Sequence, residues 1–304
     1  MRVLITGGTV FVSRYAAKYF LSKGHDVYVL NRGTREQEKG VTLIKADRHD
    51  LGETLKKYDF DAVLDITAYN KQDVSDLVDA LGDFGSYILI SSSAVYPETL
   101  PRPFKETDKT GSNSIWGDYG RNKIEAEDYL QSKIPDAYII RPPYLYGEMN
   151  NLYREAFVFD CVLENRPFYL PEYYNSEKGK IPLQFFDVED LCRFMEILLE
   201  KQPKEHIFNV GNTDITDVKD WVGSCYNVLG KEPRFEFVSG GINQREYFPF
   251  YNYGYILDVR RQNALMPELK PLKTGLEQSY EWYISSKNKV YKKNYFEFID
   301  KNFK

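Results

Sequence analysis

The chain has 304 residues, 42 % of them hydrophobic and 28 % charged, with a net charge of −5. That composition excludes a disordered or fibrous chain, and the acidic balance argues against a protein whose main work is gripping nucleic-acid phosphates. No apolar run approaches the ~18–20 residues that span a bilayer, and the opening Met1–Thr6 runs straight into glycines, unlike a signal peptide.

The first half alternates short apolar runs with helical spacing. Arg2–Thr6 reads as a buried strand, and Tyr15–Lys23 as a helix ended by Gly24. Strands follow at Val27–Leu30, Val41–Ile44, Ala62–Asp65 and Tyr87–Ile90. An amphipathic helix over Val74–Leu81 precedes the last of these. Tyr119–Ser132 is a further helix and Tyr138–Ile140 a further strand. Continuous apolar strands separated by helices predict βαβ units, hence an α/β, doubly wound parallel sheet of the Rossmann type.

Past about Gly147 the alternation weakens. Val188–Lys201 has helical spacing, Ile207–Val210 reads as a strand, Asp217–Leu229 is a helix capped by Asp217, and Thr274–Ser285 is another. The tail from Lys287 to Lys304 fits an amphipathic helix docked on the body. Tyr and Phe crowd this half, from Tyr144 to Tyr255. They suit a cleft that stacks sugars or bases, and they equally suit core packing. Cys161, Cys192 and Cys225 have neither metal-ligand nor disulfide-framework spacing. They read as core residues of a reduced, cytoplasmic protein, and no metal site is expected.

Three segments carry chemistry. The first is the turn Thr6-Gly7-Gly8-Thr9-Val10-Phe11-Val12-Ser13 between the first strand and the first helix. Glycines there let backbone N–H groups face a pyrophosphate, but Val10 and Ser13 stand where the full pattern has glycines. An ordinary β–α connection fits the same residues. The second strand ends in Asn31-Arg32-Gly33, with Arg35 close behind. An acid there would take the ribose hydroxyls of NAD; arginines favour the 2′-phosphate of NADP, or form a solvated basic loop. Asp47 follows the third strand, where a carboxylate can accept from an adenine amino group.

The other two segments are Ser91-Ser92-Ser93-Ala94-Val95-Tyr96, after the Tyr87–Ile90 strand, and Tyr119-Gly120-Arg121-Asn122-Lys123, opening a helix. Residues i and i+4 share a helical face. An ammonium beside a phenol favours phenolate, so the spacing predicts a Tyr119 pKa lowered from ~10. That would make Tyr119 a general acid–base group, with a serine holding the substrate oxygen.

Together these segments resemble the extended short-chain dehydrogenase/reductase family, in its branch of NAD-dependent epimerases and dehydratases. The likeness covers nearly the whole chain. Beyond the turn, the serine run and Tyr119–Lys123, it rests on Asp47-Arg48, Arg141–Gly147, Phe186–Asp190, Phe208–Gly211 and Leu257-Asp258. It implies a dinucleotide-binding domain over 1–150, with return segments near 181–212, and a smaller substrate-binding part over 151–304. It implies an NAD(P)-dependent epimerase or reductase acting on a hydroxyl or keto carbon of a sugar, in first place a nucleotide sugar. Tyr119, Lys123 and Ser92 take the catalytic positions. Thr6, Gly7, Gly8, Thr9, Val10, Phe11, Val12, Asn31, Arg32, Asp47, Arg48, Pro142 and Tyr144 join Tyr119 and Lys123 around the cofactor. Ser93, Tyr144 and Arg245 fall to the substrate.

Some departures bear on function. Family dehydratases carry an Asp–Glu pair where this chain has Ser93-Ala94, so 4,6-dehydration is not expected. Leu183-Gln184-Phe185-Phe186 stands where many sugar-nucleotide members have an arginine, which leaves Arg245 as the candidate for a substrate diphosphate, against a plain surface role. A divergent branch that includes chloroplast RNA-binding proteins shares the Gly-Gly-Thr start with a bulky next residue and the Asn31-Arg32-Gly33 signature. A non-redox RNA-binding or nucleotide-sensing protein is therefore the alternative. Family members pair two helices into a dimer interface, and Asp73–Leu81 with Tyr119–Ser132 match them, so a homodimer is expected.

Overall fold

The early strands are apolar at consecutive positions, not alternate ones. Val3, Leu4 and Ile5, then Ala62, Val63 and Leu64, then Ile88 and Leu89 are all fully buried. Strands dry on both faces must be covered by helices on both sides. The computed structural model, which describes residues 1–176 and 179–303, shows this arrangement.

In chain order the first half runs β1 (Arg2–Thr6), α1 (Phe11–Ser22), β2 (Asp26–Asn31), β3 (Thr42–Lys45), β4 (Phe60–Asp65), α2 (Lys71–Ala80), β5 (Phe84–Ile90), α3 (Asp118–Lys133) and β6 (Tyr138–Arg141). There follow β7 (Tyr144–Tyr146), α4 (Glu155–Leu163), β8 (Phe168–Pro171), β9 (Phe185–Asp187), α5 (Val188–Lys201) and β10 (Ile207–Asn209). The chain ends with α6 (Val218–Val228), β11 (Phe235–Val238), α7 (Arg260–Leu265), α8 (Leu272–Ser286) and α9 (Tyr295–Asn302).

The main sheet has the order β10-β6-β5-β4-β1-β2-β3, all parallel. The order reverses between β1 and β4, which opens a crevice outside their carboxyl ends, where ligands of such sheets bind. Residue contacts divide the chain into two units. The first comprises Met1–Leu145, Phe185–Thr213 and Leu257–Leu269, and holds the sheet. The second comprises Tyr146–Gln184, Asp214–Ile256 and Lys270–Lys304. Its core is aromatic: Phe157, Phe168, Trp221, Phe248 and Phe250 are fully buried. The tyrosines Tyr153 and Tyr283 both donate to buried Asp160, at 2.7 and 2.5 Å. Core packing thus accounts for most of the aromatic crowding.

Two elements differ from the reading of the sequence. Helix α1 begins at Phe11, not Tyr15, because the glycine turn feeds directly into it. Among its described residues the tail is α-helical only over α9; residues 287–289 form a 3₁₀ turn, and the Tyr291 N–H donates to the Asn151 carbonyl at 2.8 Å.

A buried ionic network locks α3 to β6. Arg141 and Glu127 are 3 % and 2 % exposed. The Arg141 Nε donates to both Glu127 oxygens, at 3.0 and 3.2 Å, and Ser91 donates to the same carboxylate. Arg141 Nη1 donates to the Tyr96 hydroxyl, which donates to Asn209 Oδ1, both at 2.8 Å. Burial pushes the Tyr96 phenol up to about 12, against the pull of Arg141. Removing one partner leaves a buried charge uncompensated. Arg141→Met is therefore expected to lose about 3–5 kcal/mol in urea unfolding, and the double variant Glu127→Leu/Arg141→Met to recover most of it. A double variant as unstable as the single one would contradict this reading.

Candidate active site

The β1–α1 turn is shaped by two glycines. Gly7 and Gly8 have φ of 91° and 84°. A Cβ on Gly7 would lie 2.7 Å from Thr67 Cγ2 and 2.8 Å from Ser13 Oγ, and one on Gly8 would lie 2.5 Å from Val29 Cγ1. Ser13 fits where the family pattern has glycine because its hydroxyl folds back onto the Val10 carbonyl at 2.9 Å, in space that Gly7 leaves open. Phe11 is bound into the turn at φ 37°, a strained conformation for a bulky residue. Helix α1 has no side-chain cap at Val10 and no acid in its first turn. Such a helix start suits a phosphate. Beside it lies a cavity of about 340 Å³ lined by Thr6, Gly7, Leu30, Asn31, Arg32, Ala46, Asp47, Arg48, His49 and Thr67. The residues present therefore fit a dinucleotide despite Val10.

Asp65, fully buried at the end of β4, organises the floor of this turn. It accepts from the Thr6 hydroxyl at 2.8 Å and the Tyr87 hydroxyl at 2.7 Å, and forms an ion pair with Arg48. Burial alone would lower the pKa of Arg48; Asp65 more than reverses that and raises it. Thr6 Oγ1 in turn accepts from the N–H groups of Ile66 and Thr67, at 3.0 and 3.1 Å. The Asn31 amide bonds to the Gly7 carbonyl at 2.6 Å and its oxygen accepts from Gly33 N at 2.8 Å. This residue thus braces the turn, while Arg32 is exposed. Asp47 accepts from the His49 N–H at 3.0 Å. His49, absent from the sequence-based site, has its Nδ1 2.6 Å from Asp76, and that hydrogen bond raises its pKa.

The second cluster lies at the carboxyl ends of β4 and β5. Lys123, 3 % exposed, donates from Nζ to the Ala68 carbonyl at 2.6 Å and the Ile90 carbonyl at 2.9 Å. Its ammonium is 5.9 Å from the Tyr119 ring centre and 5.4 Å from that of Tyr69. Tyr119 is 38 % exposed, and the nearby Ser92 hydroxyl pulls its pKa down. Of the neighbouring serines, Ser91 is engaged through its side chain and Ser93 through its backbone. Ser91 serves Glu127, and the Ser93 N–H donates to the Pro142 carbonyl at 3.0 Å.

The pKa values run against expectation. Loss of water around the Tyr119 hydroxyl raises its pKa, and the nearby Ser92 hydroxyl only partly offsets this. Burial lowers Lys123 to about 8, against the pull of Asp65 and Glu127. Desolvation, which the i, i+4 argument leaves out, is the largest influence on the phenol.

One neighbour of Tyr119, Trp116, is invisible to motif reading. Trp116 lies with its ring centre 6.4 Å from that of Tyr119, and Tyr144 meets it edge-on. A Cβ on Gly120 would lie 2.5 Å from the Ala94 carbonyl oxygen, so the missing side chain lets α3 rest on the serine segment. The second unit holds Arg245, half-buried, with its guanidinium 4.3 Å from the Tyr251 ring centre. All three cysteines are buried free thiols. Among the described residues no cluster of possible ligands could hold a metal ion, and no helix is long and apolar enough to cross a membrane.

Residues 3–211 match the NAD dependent epimerase/dehydratase family. The chain is 27 % identical to chloroplast stem-loop binding protein of 41 kDa b from Arabidopsis thaliana, over 92 % of this chain and 78 % of that one. It is 25 % identical to a UDP-glucose 4-epimerase of Corynebacterium glutamicum, over 76 % and 81 % respectively. Among solved structures, dTDP-glucose 4,6-dehydratase from Bacillus anthracis in complex with NAD superposes with a TM-score of 0.75 at 16 % identity, over 95 % of this chain and 98 % of that one. UDP-glucose 4-epimerase from Thermotoga maritima with UDP-glucose gives 0.73 at 18 % identity, over 94 % and 99 %. These likenesses show the fold.

The Gly120 contact makes a sharp prediction. Gly120→Ala must push α3 off the Ala94 carbonyl, costing about 1–3 kcal/mol and separating Tyr119 from Ser92. Denaturant unfolding and kcat are both expected to fall; unchanged turnover would contradict the assigned contact.

Proposed function

The chain belongs to the NAD-dependent epimerase/dehydratase family, and on that footing we propose that it is an NAD(P)-dependent epimerase or reductase acting on a hydroxyl or keto carbon of a nucleotide sugar. The observation that carries this reading is the buried Lys123 ammonium, held on the Ala68 and Ile90 carbonyls 5.9 Å from the Tyr119 ring centre, at the same carboxyl ends of the sheet as the glycine turn.

The turn Thr6–Val12 would hold the pyrophosphate on uncapped N–H groups, and the cavity of Asn31, Arg32, Asp47 and Arg48 would take the adenosine. Pro142 and Tyr144 would flank the nicotinamide. Bound there, the dinucleotide supplies the hydride acceptor and donor. Tyr119 takes the proton of the substrate hydroxyl in the oxidising direction and returns it in the reducing one. Ser92 and Ser93 hold the substrate oxygen. Lys123 keeps a positive charge near the phenol and offers its remaining N–H to the nicotinamide ribose. Ser93-Ala94 provides no acid pair, so dehydration is not part of the activity. Arg245 takes the substrate diphosphate. Helices α2 and α3 are the proposed face of a homodimer.

Asn31 is committed to the turn and no acid stands at the end of β2, so the same reading favours NADP over NAD. Arg32→Ala is expected to lower the NADP/NAD affinity ratio about tenfold, the worth of a charged hydrogen bond. Calorimetry that leaves the ratio unchanged would reject Arg32 as the 2′-phosphate partner.

A second reading rests on the Arabidopsis relative, whose name describes stem-loop binding. Against it stand the intact Tyr119–Lys123 pair and the net charge of −5. A salt-dependent RNA shift without dinucleotide binding would favour it.

The mechanism predicts an order of damage. Tyr119→Phe keeps the ring but loses the titratable oxygen, and should cost ~10²–10⁴-fold in kcat. Lys123→Met should lose activity and cofactor affinity together. Ser92→Ala should cost less, about 0.5–1.5 kcal/mol for a neutral hydrogen bond. A Tyr119→Phe enzyme with wild-type kcat would leave the mechanism without support.

A further inference from the structure

Trp116 is the aromatic residue nearest in sequence to Tyr119, and it is only half-buried. A purely structural tryptophan gains most by full burial, as Trp221 does in the second unit, where it is 0 % exposed. Trp116 is nonetheless held firmly. Asn113, 1 % exposed, anchors the preceding turn by donating to the Tyr96 carbonyl at 2.8 Å. Its side-chain oxygen accepts from the N–H groups of Ile115 and Trp116, at 3.0 and 3.3 Å. The Trp116 carbonyl then accepts from the Tyr119 N–H at 3.1 Å, so the backbones of the two residues are coupled. On the ring, Tyr144 stands edge-on at 72° with centres 6.4 Å apart, and Tyr144 itself packs on Phe185 at 5.8 Å. The result is a fixed indole, partly open to solvent, whose ring centre is 6.4 Å from that of the phenol.

We propose that Trp116 is a sugar-binding platform, its open indole surface stacking on the apolar C–H face of the pyranose whose hydroxyl Tyr119 serves. This rests on the nucleotide-sugar reading above and adds to it a residue that recognises the sugar ring itself. An aromatic face carries a negative quadrupole, and the C–H groups of one pyranose face are its natural complement. A bare nucleoside diphosphate lacks that face and gains nothing from Trp116. The platform holds the reacting carbon over Tyr119 without a charge that would further perturb the phenol.

The test uses the full chain loaded with NAD, as wild type, Trp116→Phe and Trp116→Ala. The probes are UDP-glucose, UDP-N-acetylglucosamine and, as the sugarless control, UDP. Trp116→Ala should weaken the better-bound sugar nucleotide roughly tenfold and leave UDP unchanged. Trp116→Phe, which keeps an aromatic face and the local packing, should lose less. Intrinsic fluorescence of the wild type should change on adding the sugar nucleotide more than on adding UDP, and that difference should vanish in Trp116→Phe. Wild-type affinity for the sugar nucleotide in Trp116→Ala would overturn the platform while leaving the nucleotide-sugar reading intact. Equal weakening of UDP and the sugar nucleotide, or loss of NAD affinity instead, would do the same. Failure of both sugar nucleotides to bind the NAD-loaded wild type would overturn the platform and the substrate reading together.

Discussion

The buried ammonium of Lys123 is the constraint around which the first unit is arranged. A lysine this deep survives only with hydrogen-bond partners, because an isolated charge in a dry interior is prohibitively costly. Its partners are two main-chain carbonyls, Ala68 just past β4 and Ile90 at the end of β5. One side chain of α3 therefore fixes that helix against two neighbouring strand ends. The other members of the same helical face follow at intervals of four. Tyr119 lies one turn before, at the open edge, and Glu127 one turn after, in the ion pair with Arg141 of β6. Helix α3 thus runs from a dry ionic lock, through a buried lysine, to a partly exposed tyrosine.

The glycine turn meets this arrangement from the other side of the switch point. Asp65 sits between the two, accepting from Thr6 of β1, Tyr87 of β5 and Arg48 beyond β3. Its position explains how the turn tolerates Val10 and Ser13. The turn's shape is set by positive φ at Gly7 and Gly8 and by the Thr6–Asp65 anchor, and the later positions adapt around it. The strain held at Phe11 is the visible cost of that adaptation.

Much of the first unit could be read from residue patterns because its determinants are local. Continuous apolar runs located β1 to β6, and the amphipathic spacing at Val188–Lys201 coincides with α5. Asp217 caps α6 as expected, accepting from the Asp220 N–H at 3.0 Å. What escaped was set by contacts distant in sequence. Nothing near Gly120 announces that Ala94 presses on it, and Trp116 gains meaning only beside Tyr119 and Tyr144. Asn31 is placed around the cofactor by the family likeness, and no local pattern shows that its amide also braces Gly7. The phenol pKa was misjudged because i, i+4 spacing says nothing of the burial that raises it. In the second unit aromatic packing replaces period and motif, so its composition spoke more of core than of site.

The central claim is that Lys123 is poised to hold a dinucleotide ribose. Burial lowers its pKa to about 8, so near that pH a substantial share of the molecules carry it neutral. Hydroxyl oxygens that accept from the ammonium favour the charged form and raise the pKa. Calorimetric titration of the dinucleotide at pH 8, in two buffers of different ionisation enthalpy, counts the protons exchanged on binding. The account predicts net proton uptake by the wild type and its loss in Lys123→Met. Tight binding with identical proton exchange in the two proteins would contradict it.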